Sequence, residues 1–125
     1  VTLDKIYDWL KTNITADTWS AGRLVTGEKQ LVVYPGSSFT NPRAIGQQSS
    51  YRGYGVRVLI HWNKNILDTE LKAQEAYEFL HDAEGTLDGK RIIKTDMRDP
   101  GPVPLGADES GVFEFVIDLE IIFER

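Results

Sequence analysis

The sequence has no cysteine, which excludes disulfides, thiolate metal sites and cysteine nucleophiles at once and leaves the redox compartment undetermined. Histidine is scarce, with only His61 and His81 in 125 residues, and neither has the paired ligand spacing that zinc sites show. Cations are outnumbered: 14 Lys and Arg face 19 Asp and Glu, for a net charge of -5. That balance opposes the long-range attraction by which basic proteins find phosphate backbones. No apolar run approaches the length that spans a bilayer, and no charged-then-apolar leader opens the sequence. The expectation is a soluble protein made in the cytoplasm. Phosphate-cradling glycine loops are missing too, since neither GxGxxG nor a GxxxxGK motif occurs. A chain of this length is expected to form one domain, residues 1–125, around one core.

What the sequence does have is a long closing strand, Gly111 to Arg125 (GVFEFVIDLEIIFER). Strand side chains alternate sides, so Phe113, Phe115, Ile117, Leu119, Ile121 and Phe123 form an unbroken apolar stripe and belong to the core. The other side mixes Val112, Val116 and Ile122 with Glu114, Asp118, Glu120 and Glu124. Such a half-dry face reads as an interface.

Upstream, Leu3, Ile6, Tyr7, Leu10 and Ile14 recur at helical spacing behind a capping Thr2 and an early Asp4, predicting a helix over Leu3 to Asn13. Two apolar runs, Arg23 to Thr26 and Gln30 to Tyr34, joined by Gly27-Glu28-Lys29, predict a hairpin. Residues 37–50 are polar and lack either period, which predicts a long exposed loop. Tyr51 to Trp62 alternates as a second long strand. A second helix follows a cap at Asn65 or Asp68 and runs to Ala83, burying Leu71, Ala73, Ala76, Tyr77, Leu80 and Ala83, with Gly85 as terminator. Lys90 to Met97 predicts another strand, and Pro100 to Gly111 a Pro/Gly-rich turn region. This order predicts an α+β fold, a mixed or antiparallel sheet with two main helices packed on one face and the other face open.

Chemistry-bearing motifs are few. Arg52-Gly53-Tyr54-Gly55 matches the opening of the RNA-recognition signature, but Val56, Arg57 and Leu59 stand where that signature continues with aromatic, valine and aromatic residues. Stacking platforms need those rings; the structural reading is that Gly53 and Gly55 let the strand bend or another backbone approach. His81 with Asp82, Glu84 and Asp88 reads as a histidine favourably placed at a helix C-terminus. Ser37, Ser38, Ser49 and Ser50 lack a nucleophile-elbow pattern. No catalytic residue, metal site or cofactor is assigned.

The succession of an amphipathic opening helix, a long polar loop, the strand YRGYGVRVLIHWNKN, the helix LDTELKAQEAYEFLH and the closing PGPVPLGADESGVFEFVIDLEIIFER resembles the tail-terminator group of minor capsid and tail-completion proteins of long-tailed bacteriophages. The resemblance covers most of the chain and rests on element order and on the closing pattern of prolines, Leu105-Gly106, acids, Gly111 and an aromatic strand. It implies a structural virion protein without catalysis. Copies would form a ring, commonly hexameric, that seals the tail tube, ends polymerisation and presents a surface for head joining. The implied partners are other copies of the chain, the tail tube protein and the head-tail connector, with no membrane and no specific nucleic acid, although DNA would pass through the ring. The implied location is the head-tail junction of the virion, with assembly in host cytoplasm. Alternatives are a head-tail connector or head-completion protein, or an RNA-recognition-like binding domain. Expected interface residues are Phe39, Arg43 and Ile45 in the loop, Tyr51 and Arg52 at the strand start, Val103 and Leu105 in the turn region, and Val112, Val116 and Ile122 on the mixed strand face. Glu114, Asp118 and Glu120 are expected to line the channel, where negative charge would keep passing DNA from sticking.

Overall fold

The computed structural model of the chain describes residues 2–36 and 51–124. In order, the elements are α1 (Leu3–Asn13), β1 (Thr18–Ala21), β2 (Gln30–Pro35), β3 (Tyr51–His61), α2 (Ile66–His81), β4 (Thr86–Leu87), β5 (Lys90–Met97), β6 (Val103–Ala107) and β7 (Phe113–Glu124). The strands form one curled, mixed sheet in the order β1-β2-β3-β7-β5-β4, with β6 also paired to β7. Among the described strands only β1 and β2 run parallel.

The two long alternating segments are the central strands. They pair antiparallel from Tyr51 opposite Glu124 to His61 opposite Glu114, a register that puts both apolar stripes on one face, because a slip of one residue would turn every side chain over. On the far side of β7, β5 pairs with its C-terminal half and β6 with its N-terminal half. The stripe of β7 from Phe115 to Phe123 is buried with Val56, Val58 and Ile60 of β3 and Leu31 and Val33 of β2.

Both helices cover that face. In α1, which has the predicted bounds, Ile6 and Leu10 are fully buried. Two bonds tie its end to β1: the Tyr7 hydroxyl donates to the Trp19 carbonyl at 3.1 Å, and the Trp19 indole N–H donates to the Ile14 carbonyl at 2.9 Å. In α2, Ala73 and Ala76 let the helix lie close to the sheet, flanked by Tyr77 and Leu80. Asn65 caps it, its Oδ1 accepting from the backbone N–H groups of Leu67 at 2.9 Å and Asp68 at 3.3 Å, a contribution of about 1 kcal/mol. The Thr95 hydroxyl donates to the Leu80 carbonyl at 2.7 Å, holding the helix end to β5.

Several expectations are corrected. Arg23 to Thr26 is not a strand: the sheet partner of β2 is Thr18–Ala21, pairing in parallel, and residues 22–29 form the connection. The buried Gln30 side chain holds that connection, donating to the carbonyls of Val25 and Gly27, both at 2.7 Å, and accepting from the Val25 N–H at 3.0 Å. The Pro100 to Gly111 region contains β6. α2 ends at His81, and its buried side includes Thr69 and Lys72, whereas Leu71 is exposed. Lys72 reaches buried depth because its stem packs inward while its ammonium stays 2.6 Å from Glu75 and 5.1 Å from the Trp62 ring centre. A hairpin absent from the expectations, β4 to β5, turns on Asp88 and Gly89, both with positive φ (54° and 75°), as two-residue hairpin loops require. The predicted loop at 37–50 lies outside the described residues.

Candidate functional site

The face of the sheet turned away from the helices gathers four of the seven expected interface residues that lie among the described residues. Register decides this: the even-numbered residues of β7 stand opposite Tyr51, Gly53, Gly55, Arg57, Leu59 and His61 of β3, and Val103 stands opposite Val116. Tyr51, Val103, Val116 and Ile122 therefore share one face with Glu114, Asp118 and Glu120. Val112 lies just before β7 and lines a groove of about 360 Å³ with Leu24, Val25, Lys64, His61 and Asp108. Arg52 stands opposite Phe123, which places it with the helix-facing set. Phe39, Arg43 and Ile45 lie outside the described residues, as do the four loop serines.

This face is less open than its sequence suggests. Val112 and Ile122 are buried within the chain, so neither is available as free apolar surface. Glu120 is 0% exposed and does not line an open wall; the expectation for it is corrected. The reason lies across the strand pair. Gly53 has no side chain, and Glu120 occupies that space: a Cβ built on Gly53 would stand 2.7 Å from the Glu120 carboxyl carbon.

The other two acids have partners. Asp118 accepts from Arg57 Nε at 2.7 Å and Nη2 at 3.4 Å, and the bonded carboxylate raises the guanidinium pKa further. The pair is largely solvated, so it fixes geometry more than it adds stability. Glu114 lies 2.8 Å from Nδ1 of the buried His61, whose Nε2 is 3.7 Å from Asp108. Asp108 accepts from the backbone N–H groups of Ser110 at 2.9 Å and Val112 at 3.0 Å. Those N–H bonds, led by Val112 and joined by the nearby His61, hold its carboxyl below the ordinary value of 3.8. Because the folded state favours the ionised form, the linked stabilisation is complete above that ordinary value and is lost as pH falls through the lower folded one. Asp108→Ala should accordingly destabilise the protein at neutral pH, with the difference from wild type shrinking as urea titrations are repeated below about pH 3.8. A pH-independent difference would mean that the carboxylate charge plays no part.

Two exposed aliphatic side chains sit at β-bulges in the strands beside β7. β5 shifts register between Ile92 and Lys94, and β6 between Pro104 and Gly106, so Ile93 and Leu105 are the extra residues. Bulges are common at sheet edges, and these two are exposed large hydrophobics at 41% and 55%. Ile93 borders a shallow hollow of about 150 Å³ with Tyr51, Lys94, Asp96 and Ile122. Leu105 was expected in an interface; Ile93 was not. Its signal is the adjacent pair Ile92-Ile93, which strict alternation cannot place on one buried face.

The RNA-recognition alternative loses its geometry here. Tyr54 and Val56 stand opposite Ile121 and Leu119 on the helix-covered face, so the motif's ring is packed into the domain rather than offered to a base. His81 stacks on Tyr77 with ring centres 5.9 Å apart and lies 3.1 Å from Asp82, at the exposed end of α2. Among the described residues no group of three His, Asp or Glu side chains is placed to hold a metal ion, and no helix is long and apolar enough to cross a membrane.

Compared with known families, residues 19–125 match the family described as "Bacteriophage tail terminator protein". No curated protein and no solved structure matches the chain.

Proposed function

The chain belongs to the bacteriophage tail terminator family, structural and non-enzymatic proteins of the virion tail, and from that premise we propose that copies of it form a ring on the end of the tail tube. The ring, a hexamer in this reading, halts tube polymerisation and gives the head its joining surface, where the connector protein docks and DNA passes through. The observation that carries the reading beyond the family is the helix-free sheet face. Among the described residues the helices lie on one side of the sheet, and with Ile93 and Leu105 exposed at the strands beside β7 the chain has surface that contact with neighbours would complete. Phe39, Arg43 and Ile45 join the contact set in this reading. So do Tyr51, Arg52, Val103, Leu105 and Val116, whereas the buried Val112 and Ile122 support the face from beneath. Glu114 and Asp118 remain the proposed channel acids, held in place by His61 and Arg57.

Deletion of the gene tests this directly. Electron microscopy of lysates should show tails of uncontrolled length. Tails of normal length beside separate, filled heads would instead assign the chain to the connector position.

A further inference from the structure

We propose that Asp88-Gly89, the turn of the β4–β5 hairpin, is a site of spontaneous covalent modification at which Asp88 isomerises to isoaspartate. The sequence contains no Asn-Gly and a single Asp-Gly, this one. The pair matters because the reaction joins neighbours: the backbone nitrogen of Gly89 attacks Cγ of Asp88 and closes a succinimide ring. As the N–C bond forms, the nitrogen gives up its proton and the carboxyl its hydroxyl, so one water leaves. Water then adds back at one of the two ring carbonyls. Addition at Cγ restores aspartate, whereas addition at the main-chain carbonyl carbon opens the ring so that the backbone runs through the side chain. Nothing is oxidised or reduced, and the mass of the chain is unchanged.

The hairpin leaves both reacting groups available. Gly89 has no side chain to shield its nitrogen, and its N–H is not spent on a backbone bond, because the ladder pairing passes from Leu87 to Lys90. Both turn residues are exposed, and the Asp88 carboxyl has no hydrogen-bond or ion-pair partner among the described residues. Reaction requires rotation about the Asp88 backbone to bring the nitrogen to Cγ. β4 pairs only with Lys90 and Arg91, backed by the Ile92 N–H donating to the Gly85 carbonyl at 2.8 Å, so this rotation opens a short hairpin and leaves the central ladder intact. Other aspartates are placed differently. Asp118 is held by Arg57, and Asp108 by the N–H groups of Ser110 and Val112. Asp99 precedes Pro100, which has no N–H to lose, and the rest precede residues with side chains.

Isomerisation has a structural consequence. It adds a methylene to the main chain of a two-residue loop whose geometry must match the strand twist. Leu87, just before the turn, is 2% exposed and belongs to the core cluster, so a lengthened turn unseats a core residue.

The test ages the purified full-length chain for weeks at neutral pH and physiological temperature. Peptide mapping with electron-transfer fragmentation, which separates aspartate from isoaspartate, should find the iso form accumulating at residue 88 and at background elsewhere. The urea midpoint of the aged sample should fall. Asp88→Gly, which gives the turn a Gly-Gly pair it accepts, should show neither change. Asp88→Asn, which keeps an Asn-Gly pair suited to the turn, should pass through the same ring faster, losing ammonia in place of water. Aged wild type with no more isoaspartate at residue 88 than at the other aspartates overturns the proposal. So does an Asp88→Asn chain that stays unconverted, since the hairpin would then hold the nitrogen away from the side chain. An unchanged midpoint in a converted sample overturns the coupling between turn and core.

Discussion

Phe115→Ala is expected to remove about 3–5 kcal/mol of stability. Phe115 is 4% exposed and lies where β7 is held on both sides, with Ile60 of β3 and Pro104 of β6 as its register partners. Its ring belongs to the cluster that α1 and α2 close over. A strand fixed by two ladders cannot shift to fill the space left by a ring, so the transfer term and the cavity term both apply in full. Against a total folding free energy of roughly 5–15 kcal/mol, this is a large share. Urea titration should show a lower midpoint with an unchanged slope. A loss under about 1 kcal/mol would contradict the burial described here.

Gly53→Val should destabilise the protein by about 1–3 kcal/mol. The added Cβ would lie 2.7 Å from the Glu120 carboxyl carbon and 3.1 Å from its Cγ, so the acid has to leave its place. Glu120 is wholly buried, and moving a buried carboxylate disturbs every group that solvates it. The check is a double-mutant cycle with Glu120→Ala: once the side chain is shortened the valine has room, and the two losses should fall well short of additive. Strict additivity would mean that the glycine is needed for backbone reasons alone.

This pair also marks how far the sequence could be read. Gly53 was legible as a position needing space, but alternation alone pointed Glu120 to solvent, and only the placement of its side chain, which starts opposite Gly55 and reaches the space beside Gly53, shows that the two share one volume. Where one face is buried under helices the pattern was sufficient: β7 and β5 lie where periodicity puts them, and α1 has the expected ends, because burial enforces a strict period. Edges were harder. β6 carries Pro104 and follows Pro100 and Pro102, a composition that reads as turn, yet proline is compatible with a strand whose outer side is unpaired. β1 was missed because its four residues are too few to show a period and its parallel partner is reached only through the loop that Gln30 anchors. Leu71 was assigned inward because it fits helical spacing, but Lys72 takes the inward place through its contacts with Trp62 and Glu75, which no spacing rule records.

β7 is the ladder partner of β3, β5 and β6 together, and it is synthesised after all three. On the ribosome these earlier strands must wait, their apolar stripes unprotected, until β7 emerges; such non-local pairing slows folding and leaves nascent chains open to aggregation. The same order makes the closing strand decisive: a prematurely released fragment that stops short of β7 lacks the stripe from Phe115 to Phe123 and with it the centre of the core.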